Sequence, residues 1–523
     1  MTTSLLLDYD AASFLDATTL GLVADRARPV KFHATVAKGI LPVRLALQTL
    51  GELVWRNDEW VSREDYVAFT LDPICTVHPD RVMFEAFSGD QSAYGLVSID
   101  RSLFTPIGDV ITGTTNVDFT RWLWDALAEM RSSRETTFRI GAEGVAVQTK
   151  GEVAGRFEEK VDVPDDWVRG FLQLQGAMAM PGTRLSVRPV DLLAAIRFLA
   201  VTKARVSPRA VRWEMTPGQD AQLMLEPWDH VIRLRGADHS YSEKRTIRVW
   251  GRKRLSLLEP LLPFAERVDV YLKGRALPTF YAVKLPGVTF VLGLSGWTSQ
   301  RWTSSASFDL LVAPARDHDR RVVEVLAKRF HATSSEIAAE LGISPAAAVQ
   351  ELSALCAEGR AIFDVETREF RRRDLFAKPI DLAMIYPPDP RREAAAKLVA
   401  DNQVAITSAA PRETKKRKRL KTPDGPVFRE VILRDWVVQG RVGDEADVEL
   451  VLSDEDRLIF GRCGCAFFKE HILNQGPCAH LTALLLVAQP ARKDAAASIA
   501  AAPPEPQPAA ESVDDDEESE DDA

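Results

Sequence analysis

Cysteine is scarce in this chain, with five residues among 523. That excludes a disulfide-stapled secreted scaffold and points to a reducing cytoplasm. No apolar run approaches the roughly eighteen residues of a membrane-spanning helix. Residues 1–20 lack a basic start, and Asp8, Asp10 and Asp16 interrupt them, so no signal peptide is expected. The motifs of several large enzyme classes are missing too: there is no Walker A loop, no dinucleotide fingerprint and no H-E-x-x-H. The stretch Gly293-Leu294-Ser295-Gly296-Trp297 misses the G-x-S-x-G spacing of a nucleophile elbow. A non-enzyme is therefore expected. The alternative is a hydrolase hidden in residues 82–317, which a carboxylate or histidine of strongly perturbed pKa in a pocket there would favour.

The net charge of −9 misleads, because residues 511–522 hold nine acids and no base. Without that run the chain is neutral, and its bases are clustered. Hydrophobic residues make up 46%, ample for folded cores over two to four domains. The pattern predicts an α+β, multidomain chain: an antiparallel hairpin-and-helix body, a compact helical unit with a short hairpin, a small ββα metal module, and a disordered acidic tail. The ranges are 1–317 (divisible into 1–188 and 189–317), 318–376, a basic linker at 377–423, a module at 424–489, and 490–523.

Three of the five cysteines lie within eighteen positions: Cys463-Gly464-Cys465, a gap of twelve, then Cys478-Ala479-His480. Gly464 permits a turn that brings the first two thiols together. Cys478 and His480 follow Gly476-Pro477 and precede Leu481, Leu484 and Leu485, which predicts the opening of a helix, where thiolate is favoured. Three thiolates and an imidazole form a closed four-coordinate set suited to one structural Zn2+. A redox pair is the competing reading, but its usual spacing is C-x-x-C. His471, inside the gap, competes with His480 as fourth ligand. Cys75 and Cys356 read as buried small hydrophobes.

This pattern resembles the SWIM zinc finger, C-x-C followed by C-x-H. The resemblance covers about fifty residues and includes all four ligand positions. It implies two strands (447–452 and 457–460), a helix over 479–488, and a binding module for DNA or protein. Bacterial SWIM proteins of this size resemble accessory components acting beside AAA ATPases, so the resemblance also implies a protein partner of that kind.

In the body, hairpins alternate with helices, which suggests a loose internal duplication. Phe119, Trp122, Leu123, Ala126, Leu127 and Met130 form a helical apolar stripe, and Leu255–Ala265 reads as a helix broken by proline. Residues 318–376 resemble a winged helix. A capping box opens at Thr333 with Glu336, Pro345 starts the third helix, and a hairpin closes the unit. That third helix offers Gln350 alone as a base-reading donor, while Arg360, Arg368, Arg371, Arg372 and Arg373 load the wing and suit phosphate contact; a winged helix that packs domains or binds protein fits at least as well.

Two basic runs are candidates for DNA or RNA. Lys244, Arg245, Arg248, Arg252, Lys253 and Arg254 surround Trp250, a combination that fits phosphate contact and base stacking. A solvated strand edge guarded by charge is the commoner source of such a run and the favoured reading. Lys415, Lys416, Arg417, Lys418, Arg419 and Lys421 lie between Pro411 and Pro423 and read as a solvated loop that attracts phosphate, or as a plain linker paired with the acidic tail.

Overall fold

Apolar residues at Phe32, Ala34 and Val36 alternate with His33 and Thr35, and this segment is a half-buried strand. The computed structural model describes residues 6–7, 14–15, 20–22, 30–55, 73–116 except 90, 126–149 except 142–143, 156–159, 165–273 except 181 and 205–208, 278–295, 319–375, 390–453 except 423–424, 458–471 and 477–488. It confirms an α+β chain of several antiparallel sheets. Two compact units divide it: 1–388 with 415–432, and 389–414 with 433–523.

Three short strands, β1 (Leu6–Leu7), β2 (Phe14–Leu15) and β3 (Leu20–Leu22), make a small sheet. The first half of the body then runs β4 (Phe32–Val36), α1 (Ile40–Trp55), β5 (Ile74–Val77), β6 (Arg81–Phe87), β7 (Ala93–Asp100), β8 (Phe104–Pro106) and β9 (Gly113–Asn116). It closes with β10 (Thr136–Gly141), β11 (Gly144–Thr149) and β12 (Arg156–Glu159). Helix α2 (Asp165–Ala179) leads to the second half.

There the same order returns: β13 (Thr183–Val187), α3 (Pro189–Val201), β14 (Val211–Met215), β15 (Gln222–Leu225), β16 (His230–Arg233) and β17 (Arg245–Val249). It too closes with three strands, β18 (Arg267–Leu272), β19 (Thr279–Leu285) and β20 (Val288–Leu294). The expected duplication is thus present as element order. The second half opens at β13, before residue 189, because Leu185 and Val187 are buried in a strand. The expected helix at Leu255–Ala265 is instead two 3-10 segments, Arg252–Leu258 and Leu262–Phe264; Pro260 and Pro263 deny an α-helix its hydrogen bonds. Of the stripe beginning at Phe119, residues 117–125 lie outside the described residues, while Ala126, Leu127 and Met130 are buried.

The largest sheet has the order β13-β18-β19-β20-β7-β6-β5-β9. Its middle is covered on both faces, so Ala93–Ile99 are all buried, as expected of a strand sandwiched between layers. Gly95 faces α1 so closely that a Cβ there would come within 2.7 Å of Leu50 Cδ1. Tyr94, on the opposite face by strand alternation, stacks edge-on with Phe171 of α2.

The helical unit has the expected three helices and closing hairpin, with one short extra strand: α4 (Arg320–Arg329), β21 (His331–Ala332), α5 (Ser334–Leu341), α6 (Pro345–Ala357), β22 (Ala361–Asp364) and β23 (Glu369–Arg372). Thr333 and Glu336 form the reciprocal capping box, and Ser344 caps α6 ahead of Pro345. Two of the five wing arginines, however, do not face solvent. Arg371 and Arg373 are buried; Arg371 pairs with Asp80 and Asp364, and Arg373 with Glu85. Helix α6 packs on α2 of the body, so the third helix and these two wing arginines hold the helical unit to the body.

After residue 389, α7 (Pro390–Ala400) precedes four strands in the order β24 (Val404–Thr422), β25 (Gly425–Val442), β26 (Glu445–Ser453) and β27 (Leu458–Arg462); all but Lys415–Ile432 of this stretch belongs to the second compact unit. Helices α8 (Ala466–His471) and α9 (479–488) follow. The basic run expected in a loop at 377–423 therefore lies in a strand. Pro411, which argued for a loop, is tolerated because β24 is at the sheet edge, where a missing N–H costs no ladder bond.

Candidate metal centre

The clustered residues sit where one element ends and two begin. Cys463 follows β27 directly, Cys465 precedes α8, and Cys478 and His480 straddle the start of α9. The three sulfurs and one histidine nitrogen lie within 4.8 Å of one another. Cys463 Sγ is 3.6 Å from His480 Nδ1. A tetrahedron of thiolates around an ion at about 2.3 Å has edges of roughly 3.8 Å, so the donor set fits a metal ion. The backbone N–H of Leu481, in the first turn of α9, donates to Cys478 Sγ at 3.5 Å, the use of a helix N-terminus anticipated for a thiolate.

Burial raises the Cys463 and Cys478 thiols, and the neighbouring thiol groups add to it. Buried thiolates clustered this closely need a cation to stay charged. A Cβ at Gly464 would meet the Glu445 carboxylate at the start of β26, the mobile end of a side chain that can shift aside. His471 stands outside the cluster, its ring 4.7 Å from that of Phe467, so the histidine of the cluster is His480.

The other candidates fare differently. Strand β17 is an edge of the sheet β16-β15-β14-β17, and most bases around it are engaged within the protein. Arg248 pairs with Glu226 at 3.1 Å, and Lys244 with Glu214 at 3.7 Å. Arg252 donates to the Glu226 carbonyl and lies over the Trp228 ring; burial draws its pKa down to about 10. Arg245 lies over Tyr241, and Arg254 is buried. Burial raises Glu226 even though Arg248 and Arg212 oppose the shift. This arrangement is an edge strand protected by charge and knit to its own sheet. The side chains of Lys415–Lys421 lie outside the described residues.

A group of strongly perturbed residues lies where the body meets the wing. His78 is buried beside Arg371, Asp80, Arg81 and Asp364; burial, then Arg371, lowers its pKa to about 3. Arg371 and Arg81 hold Asp80 down at about 2 against the effect of burial. His78 is therefore neutral in the folded protein, whereas the unfolded chain takes up its proton below about pH 6.5. Its contribution to stability is complete above that pH and is lost as pH falls toward 3. Between pH 7 and pH 5 the first unit should lose about 2 kcal/mol through this residue. Denaturant melts at the two pH values test this: His78→Gln should flatten the slope, and an unchanged slope would refute it.

No family model matches the chain, and no curated protein matches it. Among solved structures, it is similar to the proliferating cellular nuclear antigen of Entamoeba histolytica, at 11% identity and a TM-score of 0.35, over 51% of this chain and 98% of that one. Among the described residues, no helix is long and apolar enough to cross a membrane.

Proposed function

We propose that this chain is a zinc-dependent, non-catalytic binding scaffold of SWIM type whose zinc-bearing sheet presents a basic strand to the phosphate backbone of DNA or RNA. The observation that carries the reading is the convergence of Cys463, Cys465, Cys478 and His480. A set of three thiolates and one imidazole fills all four positions of a tetrahedral ion, leaving none for a substrate water. The metal's task is then to hold β27, α8 and α9 in place. Strand β24 of the same sheet carries six bases in seven residues, while Arg371 and Arg373 of the wing and most of the β17 bases are engaged internally.

If all six bases of 415–421 meet phosphates, affinity for duplex should fall about a thousandfold between 50 and 200 mM salt, with little sequence preference. Neutralising Lys415, Lys416 and Arg417 to glutamine should halve that log–log slope. The acidic run at 511–522 competes for the same strand, so removing residues 490–523 should tighten binding, most at low salt, where screening is least. Binding of a random duplex and a single strand by both chains at two salt concentrations tests this. If neither chain binds either ligand at low salt, the nucleic-acid reading falls and the zinc module is a protein-docking site.

A further inference from the structure

The helical unit is built to keep its shape apart from the sheet it rests on. Its strands form a sheet of their own, β21-β23-β22. Val322, Leu326, Ile337 and Phe370 are buried on α4, α5 and β23, and α4 packs on both of the other elements. Where the unit meets the body, much of the contact is charge. Arg81 of β6 lies 2.8 Å from Asp364 of β22, and Arg371 of β23 lies 3.0 Å from Asp80 in the turn between β5 and β6. Lys284 of β19 reaches Glu366, in the turn between β22 and β23, at 3.0 Å, and the Thr289 hydroxyl of β20 donates to the same carboxylate. Together with Arg373 and Glu85, these pairs tie the wing to three strands of the eight-stranded sheet.

His78 lies in the same β5–β6 turn. It is 2% exposed, and neither ring nitrogen has a hydrogen-bond partner among the described residues. The charges facing it are Arg371 from β23, Asp364 from β22, Arg81 from β6 and its neighbour Asp80. Arg101 donates to its carbonyl, Glu369 holds Arg371, and His331 faces Asp80. An imidazolium in this place would have no acceptor for either N–H, and two guanidiniums beside it. Lifting the wing admits water to the ring, withdraws Arg371 and leaves Asp80 to balance the new charge. We infer that the helical unit, 319–375, is a latch that lifts from the eight-stranded sheet as one body when His78 takes up a proton.

The direction follows from where the proton binds. In the docked state burial, then Arg371, lowers the His78 pKa to about 3, whereas a ring in water titrates near 6.5. The contribution of His78 to holding the latch closed is complete above about pH 6.5 and is lost as pH falls toward 3. Between pH 7 and pH 5 the lifted population should rise about twenty-fivefold. Asp80 does not titrate in that window, because Arg371 and Arg81 hold it at about 2 against the effect of burial. Lifting bares Arg371 and Arg373 along with Asp80 and Glu85, so the charge that the chain presents changes with pH.

Amide hydrogen exchange of the full chain at pH 7 and pH 5, corrected for the intrinsic pH dependence of exchange, reads the opening directly. Protection of α6, β22 and β23 should fall about twenty-fivefold at the lower pH, while β7 and β20 in the middle of the sheet keep theirs. His78→Gln should abolish the difference. Should that variant fail to fold, a lock decides independently. Thr289→Cys combined with Glu366→Cys and joined by a short bismaleimide should suppress the acid-dependent exchange, which the unlinked chain retains. Equal protection at both pH values would overturn the inference. So would a loss shared by β7 and β20, or an acid effect that survives His78→Gln or the lock.

Discussion

Replacing Cys463 with serine should take the protein from one bound zinc per chain to none and unfold the second compact unit. The size of the effect follows from how that unit is built. Its core is small, gathered around Val438, Val448, Leu450, Leu481 and Leu484, and both Cys463 and Cys478 belong to it. Small cores of this kind are marginal without a cross-link or a metal. Binding free energies for structural zinc are about 10–16 kcal/mol at neutral pH, more than such a unit holds in reserve. A serine hydroxyl is a poor zinc ligand, and the three remaining donors leave a position open. Elemental analysis reads the metal directly, and limited proteolysis of the zinc-free chain should cut within 433–488 while 73–295 stays resistant. Zinc retained by the serine variant, or none in the wild type, would refute the assignment. Chelation should reproduce the variant's proteolytic pattern, and added zinc should reverse it.

The centre was legible in the sequence because everything it needs is local. Its four ligands fall in eighteen positions, and the strand end and helix start that present them are set by neighbours a few residues away. The caps at Thr333 and Ser344 were legible for the same reason. What the wing arginines do was not. Arg373 meets Glu85 across 288 residues and Arg371 meets Asp80 across 291, and nothing near either arginine in sequence announces its partner. A run of arginines reads as solvent-exposed until a distant carboxylate is found beneath it. Strand β24 escaped for another reason: its extended form comes from lying beside β25, and its own residues show charge and proline where an apolar alternation would mark a strand. The internal duplication occupies a middle ground, visible as a rhythm of hairpins and helices but located only when β4–α1 and β13–α3 proved to open equivalent halves.

Breaking the Arg373–Glu85 pair should destabilise the first unit by about 3–5 kcal/mol, the usual result of leaving one charge of a buried pair without its partner. The Arg373 Nη1 to Glu85 Oε2 distance is 2.7 Å, and both side chains are 0% exposed. Around them, the Tyr94 hydroxyl donates to Glu85 Oε1 at 2.8 Å, and Gln175 accepts a hydrogen bond from the backbone N–H of Phe363 at 2.9 Å. The pair thus ties β6 of the body to the segment just beyond β23, beside the packing of α6 on α2. Arg373→Met removes the cation and strands a carboxylate in the core, so most of the loss should appear in this single change. Part of the cost is already present in the native pair, since Nε and Nη2 of Arg373 have no hydrogen-bond partner among the described residues. For that reason Glu85→Leu combined with Arg373→Met should recover much of the stability, because well-packed apolar side chains often replace a buried ion pair without loss. Urea titrations of the two single variants and the double variant give the coupling directly. Independent, additive losses would show that the pair is not what holds the wing to the sheet; a double variant more stable than either single one is the expected result.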